Sequence, residues 1–289
     1  MKNDSKLIRN GSIFGIIGNI FLFIIKIIIG IISKSQAMIA DSFNSGADIF
    51  ASFMTYIGNR ISSHPNDVDH NFGHGKAEYI FTMLISISMI VIALKLGFDS
   101  IINIINGNKL IFSWKLIIIC FITVITKLFL FIYTNYIYKK TDSILIKSNM
   151  IDHRNDMIIT IFTTISILFT KLDIYFLDGV TGLLISIWIL ITGVKLFKES
   201  YDVLMDKALD NRITNSIIAI IKKYNNIKKI GNIYSIPIGY KYIIVITIYV
   251  NGKMQTVKSH NIADEIEKDI KDNISKIEDV IVHIEPFNK

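Results

Sequence analysis

The sequence predicts an α-helical membrane protein, with six transmembrane helices followed by a small α+β domain. Three observations point there. Hydrophobic residues make up 51% of the 289 positions, and a mean hydropathy of +0.48 is too high for a soluble domain of average make-up. Six apolar stretches are long enough to cross a bilayer. After Asp206 the pattern returns to the alternation of charged and apolar residues found in soluble domains, which divides the chain into 1–206 and 207–289.

The apolar stretches run over residues 12–32, 37–61, 79–102, 111–137, 145–169 and 176–197. The first follows a short polar N-terminus and no small-residue cleavage site succeeds it, so it reads as a retained helix and not a signal peptide. An even number of crossings puts both termini on one side. Lys2, Lys6, Arg9, Arg60, Lys76, Lys139, Lys140, Lys147, Lys195 and Lys198 fall on that side, against Lys34, Lys109, Lys115 and Lys171 opposite. The excess of positive charge marks the side of the termini as cytoplasmic and the protein as a multi-pass protein of the cell membrane. The net charge of +7 therefore follows membrane topology; with no aromatic-interleaved basic patch, nucleic acid is excluded as a partner. Cys120 is the single cysteine and lies in an apolar run, which excludes an intrachain disulfide and a cysteine-rich metal site.

In the tail, apolar periodicity and turn residues predict a helix over 212–224, strands over 229–236 and 241–250, a helix over 259–273 and a strand over 280–285. That order, αββαβ, is a ferredoxin-like split βαβ arrangement. The first tail helix sets Ile213, Ile217, Ile218, Ile220 and Ile221 on one side, as a helix packed on a sheet should.

Two of the crossings carry residues that a membrane helix should avoid. The segment DHRND, residues 152–156, places Asp152 and Asp156 one turn apart, and ADSFNSGAD in the second crossing does the same with Asn44 and Asp48. Each Asp near the bilayer centre costs roughly 2.5 to 3.5 kcal/mol, so something must offset the pair. If the two helices are neighbours, four oxygen donors converge on one cation, whose charge supplies the offset. The bland alternative is hydrogen-bond glue between helices, for which Asn would suffice without three carboxylates. Oxygen donors suit a hard ion such as Mg²⁺, Ca²⁺ or Mn²⁺ better than Zn²⁺ or Cu²⁺. Three carboxylates close together in low dielectric repel one another, so metal entry coupled to proton departure is the natural exchange.

His153 is about 100° round the helix from Asp152 and is expected beside the ligand face, not on it. Asp41 reads either as lining the outer approach or as interface packing. Lys26, Lys95 and Lys127 lie within apolar runs, where snorkelling or pairing is the default. In the loop HPNDVDHNFGHGKAE, residues 64–78, the spacing of Asp67, His70 and His74 suits a divalent ion with an open position, or else a glycine-rich turn with capping residues.

With these motifs the chain resembles the cation diffusion facilitators, six-helix divalent-metal/proton antiporters, from about Ser12 to Glu285. The resemblance implies a transport site on Asn44, Asp48, Asp152 and Asp156. Zinc-type relatives have His where this chain has Asp152, and often in helix two as well; DHRND resembles the manganese-exporting branch. It further implies a second, exposed site at Asp67, His70 and His74, an ion pair between Lys76 and Asp206, and a homodimer. In the tail it implies a cytoplasmic metal cluster at His260, His283 and Glu285, of which two further histidine positions are here Asn232 and Thr247.

The expectation is a homodimeric, proton-coupled exporter of a divalent cation, Mn²⁺ first and Zn²⁺ or Fe²⁺ next, with the ion as cargo and no cofactor. A membrane enzyme using carboxylate-bound Mg²⁺ is the rival of another class, but it needs basic residues for phosphate and only Arg154 is near. A metal-sensing scaffold would not need carboxylates within the membrane.

Overall fold

The computed structural model describes residues 2–32, 36–106, 114–169 and 176–287. Six long helices come first, of 26 to 31 residues each: α1 (Lys2–Ile32), α2 (Gln36–Ser62), α3 (Ala77–Asn106), α4 (Trp114–Thr141), α5 (Ile144–Phe169) and α6 (Phe176–Leu204). At 1.5 Å per residue each is about 40 Å or longer, more than a hydrocarbon core requires. Among the described residues, Asp4–Ile29, Ala77–Ile102 and Trp114–Thr141 are long and apolar enough to cross a membrane. In α2 and α5 charged and amide side chains interrupt the apolar run.

The polar residues are not scattered. On α2, Ser45, Asp48, Ser52, Thr55 and Asn59 recur at spacings of three and four and are all buried. On α5, Ser148, Asn149, Asp152, His153 and Asn155 are buried as well. The large apolar residues Ile17, Ile24, Val91, Phe98, Phe129 and Ile132 are exposed instead. Polar inward and apolar outward is the arrangement that a lipid solvent selects. α2 and α5 pack side by side, with α1, α3 and α4 around them. α6 joins through Ile185 and Ile189 against Ala93, and through Leu196 against Met89 and Ile151.

α4 turns into α5 over two residues, with Asp142 in the left-handed region at φ 51°, which Asp tolerates better than most residues. Glu78 at the start of α3 accepts from the Ser143 hydroxyl and, at 3.5 Å, from the Leu145 N–H. The carboxylate thereby satisfies orphan donors at the N-terminus of α5.

The remaining elements are α7 (Asn211–Ile221), β1 (Ile227–Pro237), β2 (Tyr242–Asn251), α8 (Thr256–Asn273) and β3 (Ile277–Phe287). This is the αββαβ order read from the sequence, with ends shifted by a few residues. The sheet order is β1-β2-β3, with β1 antiparallel and β3 parallel to the central strand. Ile244, Ile246, Ile248 and Val250 alternate along β2 and bury one face against Ile217 and Ile221 of α7 and Ile262, Ile266 and Ile270 of α8.

The described chain forms two compact units. One holds the residues up to Pro65 and Ala77–Tyr201; the other holds Asn66–Lys76 and everything from Asp202. The division thus differs from a single cut after residue 206: the loop between α2 and α3 packs with the tail. Two contacts explain this. Gly75 lies against the backbone of Ile238 and Gly239, and Lys76 Nζ donates to Asp206 Oδ1 at 2.7 Å.

Candidate metal centre

The inward faces of α2, α4 and α5 bring three charged side chains to one point. Lys127 of α4 donates from its Nζ to Asp48 Oδ2 at 2.7 Å and to Asp156 Oδ2 at 2.5 Å. Lys127 is 1% exposed and the Asp156 side chain 24%, so the cluster is enclosed with Asp156 towards its open side. The position of Lys127 follows from the pattern of its helix: Ile119, Thr123, Lys127, Leu130, Thr134 and Ile137 form the buried stripe of α4. The lysine pairs and does not snorkel.

Asp152, His153 and Asp156 form a second grouping, with one donor atom of each lying within 4.8 Å of the others. His153 therefore stands nearer the carboxylates than its angular offset suggested. Both of its ring nitrogens are buried and lack a hydrogen-bond partner. Asn44 lies in α2, but its side chain, like that of Asp41, is outside the described residues.

The neighbouring polar groups tie the same helices together. Asn19 of α1 donates to Ser52 Oγ at 3.5 Å, and Thr55 of α2 donates to Asn149 Oδ1 of α5 at 3.1 Å. Arg154 turns the other way, its guanidinium 5.2 Å from the centre of the Trp188 ring on α6. It lies over an aromatic face, a position that does not serve a phosphoryl group among the carboxylates.

In the loop, Asp67 organises both histidines. Its Oδ1 accepts from the His70 N–H at 2.6 Å and from the Asp69 N–H at 3.1 Å, and stands 3.2 Å from His70 Nδ1. Its Oδ2 is 3.6 Å from His74 Nε2, and the two imidazoles are 4.3 Å apart, centre to centre. The backbone bond from His70, followed by the side-chain bond, holds the Asp67 carboxyl below the usual range. The three donors lie within 4.8 Å of one another, a spacing that one divalent ion can bridge.

The tail residues divide. His283 and Glu285 sit on β3 with Nε2 and Oε1 2.9 Å apart, while His260 on α8 faces Asp264 at 3.7 Å. Among the described residues, His260 does not join them in a metal-holding group. Thr247 is the register partner of His283 on β2, and Asn232 bonds Tyr234 Oη at 3.1 Å.

Comparison with known proteins decides the family. Residues 12–205 match the cation efflux transmembrane domain, and residues 209–287 match the cytoplasmic domain of cation efflux proteins. The chain belongs to the cation efflux family. Cation efflux proteins are transporters and not enzymes, and the divalent metal is their cargo. The cytoplasmic domain is the family's dimer-forming part, and the protein is a homodimer. The chain is similar to the manganese efflux system protein MneP of Bacillus subtilis, with 26% identity over 286 residues and 96% of each chain covered. It is also similar to MneS of the same organism, with 28% identity, covering 97% of this chain and 96% of that one. Among solved structures, the metal-bound C-terminal domain of the CzcD transporter from Thermotoga maritima is 26% identical. It covers 28% of this chain and 98% of that one, with a TM-score of 0.27.

Sequence reasoning missed two parts of the candidate centre. The partners of Lys127 were not foreseen, although the spacing of Lys127 with Thr123, Leu130 and Thr134 marks an inward face. Nor was the polar stripe of Ser45, Ser52, Thr55 and Asn59, which the same three-and-four spacing in α2 would have disclosed.

Proposed function

We propose that the protein exports Mn²⁺ across the cell membrane in exchange for protons, binding the ion between α2 and α5 and releasing it outward by alternating access. Both termini then lie in the cytoplasm. Asp48, Asp152 and Asp156 are the charged ligands and Asn44 a neutral carbonyl ligand. One observation carries the reading: Asp48 and Asp156, on neighbouring helices, converge on a single cationic atom. A cage of carboxylate and amide oxygen favours a hard dication, and the relatives named above are described as manganese efflux proteins. The loop triad of Asp67, His70 and His74 is a second, exposed metal site, and His283 with Glu285 a weaker one, to which His260 is a less well placed contributor.

A second reading keeps the fold and changes the ion to Zn²⁺ or Fe²⁺. The grouping of His153 with Asp152 and Asp156 favours it, since an imidazole nitrogen suits those borderline ions.

The test is metal-stimulated proton flux in proteoliposomes, with Mn²⁺, Fe²⁺, Zn²⁺, Co²⁺ and Cd²⁺ compared side by side. Mn²⁺ gives the largest flux and Asp156→Ala abolishes it. Undiminished flux in that variant overturns the site.

A further inference from the structure

Lys127 is the buried charge that the transport reading leaves without a role. A lysine within an apolar run ordinarily extends its ammonium towards water. This one lies inward at 1% exposure, and its Nζ is bonded to Asp48 Oδ2 and Asp156 Oδ2. Those oxygens come from the two helices that are to share the cargo. A buried ammonium is tolerated only when paired, and two carboxylates supply that pairing. An oxygen accepting from the ammonium at such a distance cannot also ligate a dication without placing two cations a few ångströms apart. In a low-dielectric interior that repulsion is severe, so one cation excludes the other.

We propose that Lys127 is a tethered counter-cation, which occupies the cage between cargo ions and leaves it when a divalent cation binds. The inference rests on the metal-transport reading and deepens it. With the ammonium in place, the repulsion between Asp48 and Asp156 in the metal-free cage is relieved. With cargo bound, the ammonium competes to return and favours release. The binding-competent state is the one with Lys127 withdrawn, so the apparent affinity is the intrinsic one reduced by the fraction of that state.

The test is Mn²⁺ binding to the full-length protein in nanodiscs, followed by the electron paramagnetic resonance signal of free Mn²⁺, together with thermal melting. Lys127→Gln binds Mn²⁺ about tenfold or more tightly than the parent, while Lys127→Arg, which keeps the charge, stays near the parent value. The metal-free Lys127→Gln protein melts lower than the parent, and saturating Mn²⁺ restores the parent melting temperature. If the variant folds only in the presence of Mn²⁺, that rescue supports the proposal equally. Affinity that is unchanged or weaker overturns it, as does instability that Mn²⁺ does not repair, because a lysine serving only to tie helices together predicts both. Asp156→Asn in the same assay separates the two claims: if it leaves Mn²⁺ binding intact, the transport site itself fails, whatever Lys127 does.

Discussion

Asp48 of α2 and Asp156 of α5 accept hydrogen bonds from one atom, the Nζ of Lys127, at 2.7 and 2.5 Å. Two carboxylates far apart in the chain are thus focused on a point that a single cation fills. The insertion cost of each is offset by the ammonium that α4 contributes to the same cluster.

On the proposed reading, ion preference is set by the donor types of the transport site. Asn44→His and Asp152→His each replace an oxygen donor with a softer nitrogen, which raises the preference for Zn²⁺ over Mn²⁺ by about tenfold. The ratio of zinc-stimulated to manganese-stimulated flux measures it. A ratio that does not change in either variant favours the zinc or iron reading instead.

The loop triad depends on how the loop is held. A Cβ at Gly75 would stand 2.8 Å from the Ile238 carbonyl oxygen and 3.3 Å from Gly239 Cα, both backbone atoms. Gly239 is itself at φ 103°, where other residues are strained. Gly75→Ala therefore pushes the loop away, and overpacking of this kind costs roughly 1 to 3 kcal/mol. Hydrogen exchange over residues 66–76 accelerates about tenfold or more, and the metal affinity of Asp67, His70 and His74 falls with it. Exchange at the parent rate contradicts this packing.

Much of this was legible in advance. The apolar runs and their breaks gave the helices, and alternation with turn residues gave the tail, because a membrane solvent and a half-buried sheet each impose one period on the chain. The pairs Asn44/Asp48 and Asp152/Asp156 stood out since charge in an apolar run has no cheap structural use. The partners of Lys127 were not legible: its spacing tells which face it is on, not which carboxylates a neighbouring helix presents there. The pair of Lys76 with Asp206 was implied by the resemblance, but the packing of Gly75 on Ile238 and Gly239 was hidden for a similar reason, since it arises only through the fold of the tail.

In the tail, Tyr224 Oη donates to Asp269 Oδ2 at 2.6 Å, tying the residues after α7 to α8. Burial, and then this bond, pushes the phenol up to about 12. The raised value means that the bond contributes fully below the ordinary phenol range near pH 10 and is lost as pH rises through about 12. Tyr224→Phe is accordingly less stable by about 1 kcal/mol at neutral pH, and the difference from the parent vanishes across that alkaline window. Urea titration of the full-length protein in nanodiscs at several pH values checks both statements; a difference that persists at the alkaline end contradicts the assignment.

The most direct test of a shared ion is a double-mutant cycle on Mn²⁺ affinity with Asp48→Asn and Asp156→Asn. If both carboxylates ligate one ion, each single substitution weakens binding about a hundredfold, and the double variant loses little beyond either one, because the first change already dismantles the site. Losses that multiply independently, or a single variant that binds as the parent does, would show that the two residues serve different ions.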